Sequence, residues 1–113
     1  MFFRKPRLDE IDVNNAKQLL DNPDIVWLDV REIIEHNQLR IPNSTLIPMG
    51  LLPLRESELR DVLDKEIIVY CRTGSRSYHA TRWLNDRGYN AKNMVGGIMQ
   101  WSRFDHPTIQ GAV

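Results

Sequence analysis

The residues Ile67-Ile68-Val69-Tyr70 form an apolar run with no polar interruption, and Ile25-Val26-Trp27-Leu28 is a second. A strand with one face in water alternates apolar and polar side chains. A continuous run belongs to a strand covered on both faces, the pattern of parallel sheets with helices on either side. Thr45-Leu46-Ile47 and a weaker segment, Ala91 to Val95, read as two further strands. Helical patterns lie between them. Asp12 is a candidate N-cap for a helix reaching about Leu20, with Ala16, Leu19 and Leu20 on one face, and Leu59, Val62 and Leu63 recur at helical spacing within 57–63. Ser75 reads as the N-cap of a third helix, striped by Ala80, Trp83 and Leu84 and ended by Gly88. This alternation predicts an α/β sandwich on a mainly parallel sheet. Ligands then bind at the carboxyl ends of the strands, where Asp29-Val30-Arg31 and Cys71-Arg72 fall.

A length of 113 residues predicts one domain spanning 1–113. Fifteen Lys and Arg balance fifteen Asp and Glu, so no global charge draws the chain to nucleic acid or to a membrane. One cysteine permits no internal disulfide, and three scattered histidines give no metal-ligand spacing; no metal or cofactor is expected. Met1-Phe2-Phe3 is too short for a secretory segment and no run approaches a membrane span, so the expectation is a cytoplasmic, soluble protein. Arg4, Lys5 and Arg7 around Pro6 read as a solvated N-terminal arm.

Cys71 follows directly on the first apolar run, in the stretch VYCRTGSRS. A free cysteine is most often a small, inert, buried hydrophobe. Here, however, the strand breaks into a loop containing Gly74 and then opens a helix. That geometry turns successive N–H groups inward as an anion-binding nest and adds the partial positive charge of a helix N-terminus. A thiol pKa of about 8.5 falls in such a place and beside arginines, leaving a reactive thiolate. Arg72 and Arg76 flank the cysteine and can draw in an anionic substrate. Packing of Cys71 at a strand end explains neither Gly74 nor the two arginines. Cys71 is therefore the candidate nucleophile, and Arg72, Thr73, Gly74, Ser75 and Arg76 are the candidate substrate-binding residues.

Four motifs in order resemble the rhodanese (sulfurtransferase) family in its single-domain form. WLDVR with Glu35 following is similar to the family's DVR…E segment, RIPNS stands where Gly-His-Ile-Pro-Gly-Ala is usual, VYCRTGSRS resembles the active-site loop, and VGGIMQW resembles the closing Gly-Gly…Trp element. The resemblance implies a three-layer α/β sandwich, a mainly parallel central sheet flanked by helices. It also implies a ping-pong double displacement. The Cys71 thiolate takes the outer sulfur of a donor such as thiosulfate, expels sulfite, and passes the sulfur to a thiophilic acceptor: cyanide, a thiol or a protein thiol. The outer persulfide sulfur lies only about 2.05 Å beyond the cysteine sulfur, within reach of N–H donors between Arg72 and Arg76. Four residues separate Cys71 from Arg76. Cysteine-based phosphatases have a loop one residue longer, a wider cradle for phosphate, so the spacing favours sulfur transfer. With no second cysteine, any resolving thiol comes from outside, as a small thiol, a thioredoxin-like protein or another acceptor protein. The alternative functions are a sulfur-carrier or protein-interaction module with little turnover and, further off, a cysteine-dependent phosphatase.

Other residues carry narrower expectations. Asp29 either faces the Cys71 loop, accepting from its N–H groups or from an arginine, or caps a turn. Arg31 and Glu35 pair if their segment is helical. His36 and His79 are expected at the surface or partly packed, since an ionised thiolate needs no general base. Trp27, Trp83 and Trp101 read as core. Gly96-Gly97 suggests a tight turn with positive φ, or a close approach to the active loop. Leu39, Arg40 and Asn43 depart from the family pattern, and Arg40 is a candidate to join Arg72 and Arg76 in an anion-attracting rim.

Overall fold

The computed structural model describes residues 9–112. The expectation for Arg4, Lys5 and Arg7 lies outside the described residues. Five strands form one sheet: β1 (Glu10–Asp12), β2 (Ile25–Asp29), β3 (Thr45–Leu46), β4 (Glu66–Tyr70) and β5 (Asn90–Val95). Their order is β1-β5-β4-β2-β3 and every pairing is parallel. The two continuous apolar runs, β2 and β4, are neighbours in the sheet, with Trp27 opposite Ile68 and Asp29 opposite Tyr70.

Period-two alternation sends their side chains into two separate cores. Leu28, Ile67, Val69 and Cys71 join Ala80, Leu84 and Ala91 on one face. Trp27, Ile68 and Tyr70 join Val13, Ala16, Met94 and Trp101 on the other. The first face is covered by α4 (Ser75–Asp86) and the short α3 (Leu52–Arg55), the second by α1 (Val13–Lys17) and α5 (Gly97–Arg103). The result is the expected three-layer sandwich. Among the described residues no helix is long and apolar enough to cross a membrane.

Several elements differ from the sequence expectation. Asp12 does cap α1, accepting from Asn15 N–H at 2.8 Å, but the helix ends at Lys17 and continues to Leu20 only as turns. The segment read as a helix over 57–63 is 3₁₀-helical from Glu56 to Val62, following directly on α3. Ser75 is the first residue of α4 rather than its N-cap: Gly74 occupies the cap at φ +104°, a left-handed conformation that costs glycine little. Three helices, α2 (Ile33–Gln38), α3 and α5, and the edge strand β1 have no element assigned from the sequence, although the Arg31–Glu35 spacing allowed for helix at α2. Trp83 is only partly buried, its ring lying under the Arg87 guanidinium at 4.6 Å, whereas Trp27 and Trp101 meet edge to face at 5.6 Å inside the core.

Candidate active site

Because β2 and β4 are parallel, Asp29 and Tyr70 end at one edge of the sheet and Cys71 opens the loop there. Cys71 is 1 % exposed. Its Sγ accepts from Gly74 N–H at 3.0 Å and lies 3.3 Å from Ser77 Oγ. Burial pushes the Cys71 thiol up, but the Ser77 hydroxyl and the N–H groups of Ser77, Gly74 and Thr73 outweigh it and hold the pKa below its ordinary value. The structure thus gathers Thr73 and Gly74 around the sulfur as donors, with Arg72 exposed on the loop and Ser75 exposed at the start of α4.

Ser77 was not singled out from the sequence, although a signal exists. Ser77, Ala80, Thr81 and Leu84 are the buried face of α4, so a small polar residue stands on the core-facing stripe in the first turn of the helix that follows Cys71. Its hydroxyl also lies 2.6 Å from Asn93 Oδ1, and one hydroxyl hydrogen serves only one of these two acceptors at a time. Asn93, buried in β5, donates through Nδ2 to Gly74 C=O at 3.1 Å and so ties the sheet to the turn of the loop. The rate of Cys71 alkylation by iodoacetamide should therefore reach half its maximum below the pH of about 8.5 typical of free cysteine. Ser77→Ala should move that midpoint upward and lower reactivity at neutral pH by about tenfold, since a hydrogen bond to the charged form has been removed. An unchanged midpoint would show that the backbone N–H groups alone set the ionisation.

Gly97 sets the height of the loop. Ile98 N–H donates to Cys71 C=O at 2.9 Å and Met99 N–H to Arg72 C=O at 3.1 Å, which brings the start of α5 against the chain at Cys71. A Cβ on Gly97 would lie 2.3 Å from the Arg72 carbonyl oxygen and 2.6 Å from Thr73 N. Both expectations for the Gly96-Gly97 pair hold: φ is +88° and +60°, and Gly97 makes the close approach.

The charged residues around the loop pair differently from the sequence expectation. Arg31 does not pair with Glu35. Arg31 donates from Nε and Nη2 to the two oxygens of fully buried Asp29 at 2.9 and 2.7 Å, and Asp29 Oδ1 also accepts from Arg31 N–H. Asp29 therefore takes an arginine and closes a turn, but it does not receive the Cys71 loop. His36, 3 % exposed, is not a surface residue: its Nδ1 lies 2.9 Å from Asp29 Oδ2. His79 is exposed, as expected. Glu35 reaches Arg76 instead, in a bidentate pair of two 2.8 Å contacts, and the Arg76 guanidinium holds the Glu35 carboxyl at about 2. Arg40 does not join a rim with Arg72 and Arg76. It forms an antiparallel bridge with Ile109 and donates to Gly111 C=O at 2.6 Å and to His36 C=O at 3.3 Å, so its charge is turned to the C-terminal tail. Asn43, where the family usually has glycine, keeps a left-handed φ of +64°, which asparagine tolerates better than most residues.

A three-layer parallel α/β fold thus places a buried cysteine sulfur, met by Gly74 N–H and the Ser77 hydroxyl, at the carboxyl edge of its sheet. The Rhodanese-like domain model matches residues 12–104, and the chain belongs to that family. It is 38 % identical over 104 residues to a sulfurtransferase of Allochromatium vinosum, covering 90 % of this chain and 95 % of the relative. It is also 32 % identical to a tRNA uridine(34) hydroxylase of Salmonella newport over 84 % of this chain, but only 29 % of that longer protein. Among solved structures, a rhodanese-related protein of Thermoplasma volcanium superposes with a TM-score of 0.82 at 30 % identity, covering 88 % of this chain and 96 % of that one. Membership and the sulfurtransferase relative support sulfur transfer as the chemistry.

Proposed function

We propose that this protein is a sulfurtransferase in which Cys71 carries a sulfane sulfur as a persulfide between a donor such as thiosulfate and a thiophilic acceptor. The observation that carries the reading is the Cys71 sulfur itself, buried at the end of β4 with Gly74 N–H at 3.0 Å and the Ser77 hydroxyl at 3.3 Å. In the first half-reaction the thiolate attacks the outer sulfur of thiosulfate, the S–S bond breaks and sulfite leaves with the electron pair. The persulfide's charge then sits on its outer sulfur, close to the loop N–H groups, which are already oriented and need no rearrangement. In the second half-reaction an acceptor such as cyanide attacks that sulfur and the Cys71 thiolate is regenerated. The chain supplies no second thiol, so the acceptor or resolving thiol is external: a small thiol, cyanide, or a thioredoxin-like or other acceptor protein.

Phosphoryl transfer fits this site poorly. The Glu35 carboxylate compensates the Arg76 charge in a bidentate pair, which weakens the pull of that arginine on a phosphate dianion. That leaves Arg72 as the loop cation with no ion-pair partner among the described residues. The purified protein should form thiocyanate from thiosulfate and cyanide with ping-pong kinetics and should not turn over aryl phosphates. Aryl phosphate hydrolysis lost in Cys71→Ser would overturn the proposal. Persulfide formation without catalytic turnover would favour the sulfur-carrier or interaction-module reading.

A further inference from the structure

We infer that Asn93 is a positioning residue for sulfur transfer: its amide oxygen gives the Ser77 hydroxyl a second acceptor, so that this hydrogen bond leaves the Cys71 sulfur on loading and returns on unloading. The inference rests on the sulfur-transfer reading and specifies how one site serves both half-reactions.

Ser77 and Asn93 are 0 % and 6 % exposed, so their polar groups depend on protein partners. Ser77 Oγ lies 2.6 Å from Asn93 Oδ1 and 3.3 Å from Cys71 Sγ, with a single hydrogen to give. The amide is oriented from its other end. Gly74 C=O, which can only accept, lies 3.1 Å from Asn93 Nδ2, so the amide nitrogen points to the loop and the amide oxygen faces Ser77. The same carbonyl accepts from Tyr78 N–H at 3.1 Å, which ties the turn to the start of α4. Two acceptors thus compete for one buried hydrogen. Asn93 Oδ1 is neutral throughout, whereas Cys71 Sγ changes its charge twice in each cycle.

Cys71 attacks in the first half-reaction and departs in the second. A thiol of low pKa leaves readily but attacks weakly. A fixed hydrogen bond to its sulfur therefore favours unloading at the expense of loading. In the free enzyme the Ser77 hydroxyl is drawn to the thiolate, because a charged acceptor binds it more strongly than a neutral amide does. As the new S–S bond forms and sulfite leaves with the electron pair of the old one, the negative charge passes from Sγ to the outer sulfur. The hydroxyl then turns to Asn93 Oδ1 and stays satisfied, where a buried hydroxyl with no partner would disfavour the persulfide. When the acceptor takes the outer sulfur, the electron pair returns to Sγ and the hydroxyl turns back. Its proton stays on Oγ throughout.

The test follows the two half-reactions separately in the full chain, at one pH where Cys71 is fully ionised. Loading by thiosulfate is read from intact mass in rapid-quench samples, and unloading of the isolated persulfide form by cyanide is read from thiocyanate. In Asn93→Leu the hydroxyl stays on the sulfur. This variant should move the midpoint of Cys71 alkylation down by about half a pH unit and raise the ratio of unloading to loading rate by about tenfold. Ser77→Ala should move the midpoint up and lower that ratio, and in its background Asn93→Leu should leave the midpoint in place. The charges at this edge of the sheet, Arg72, the Glu35–Arg76 pair and the Asp29–Arg31 pair with His36, are present in every variant. Asn93→Val gives the same measurement if leucine does not fold at this position. If Asn93 only tethers Gly74, its loss loosens the loop. Equal slowing of both half-reactions, a midpoint unchanged or raised, or the same shift with and without the Ser77 hydroxyl would therefore overturn the inference. A wild-type protein that takes up no sulfur, with the midpoints shifting as expected, would instead refute the sulfur-transfer reading and leave the hydrogen-bond exchange standing.

Discussion

Gly97→Ala is expected to lose about 3 kcal/mol of stability in urea unfolding and at least about tenfold in sulfur-transfer kcat/KM. The left-handed φ of +60° costs a Cβ-bearing residue roughly 1–2 kcal/mol. The larger part comes from position: the added carbon would lie 2.3 Å from Arg72 O, 2.4 Å from Arg72 C and 2.6 Å from Thr73 N, all backbone atoms that move only if the loop moves. Displacing Arg72 and Thr73 pulls the Thr73 N–H away from the sulfur it serves. Gly96→Ala provides the control. Its φ of +88° is also strained and its added carbon would lie 2.8 Å from Gln100 Cβ, but the nearest atom, Gln100 Oε1, can swing away and none of the three nearest atoms belongs to the Cys71 loop. Gly96→Ala should therefore cost less in stability and leave more activity than Gly97→Ala. Equal effects of the two substitutions would show that backbone strain, not loop displacement, is what these glycines relieve.

Cys71→Ser should abolish thiocyanate formation, with a loss of at least about a thousandfold, because a serine hydroxyl cannot accept and release a sulfane sulfur. Stability should change by only about 1 kcal/mol, since the smaller hydroxyl still finds Gly74 N–H and Ser77 as partners. The two substitutions separate two roles. Gly97→Ala reduces reaction by moving the cradle, whereas Cys71→Ser leaves the cradle in place and removes the atom it holds.

The Cys71 loop is legible in the sequence because everything that announces it is contiguous: the apolar strand, the cysteine, the glycine and the flanking arginines. The same holds for β2 and β4, whose unbroken apolar runs report that both faces are covered. What could not be read is what arrives from elsewhere in the chain. Asn93 reaches the loop from β5, a strand in which an asparagine has no local meaning. Glu35 claims Arg76 across 41 residues and Arg31 turns back to Asp29 two residues away, so the i,i+4 pairing suggested by spacing loses to one tertiary and one local partner. His36 faces the core because the Asp29 carboxylate is there to meet it. Edge strand β1 carries Glu10 and Asp12 among its three residues and offers no apolar signal, yet it pairs with β5 from Glu10↔Asn93 to Asp12↔Val95. Arg40 fails as a rim residue because the Ile109–Gly111 tail, distant in sequence, folds back on it.

The central claim is that the buried Cys71 thiolate holds a transferable sulfur, and intact mass measures it most directly. After incubation with thiosulfate and removal of excess reagent, the wild-type protein should gain the mass of one sulfur atom, and cyanide should return it to the starting mass with release of thiocyanate. An unchanged wild-type mass after exposure to thiosulfate and to organic persulfides, with Cys71 still reactive toward iodoacetamide, would contradict the account.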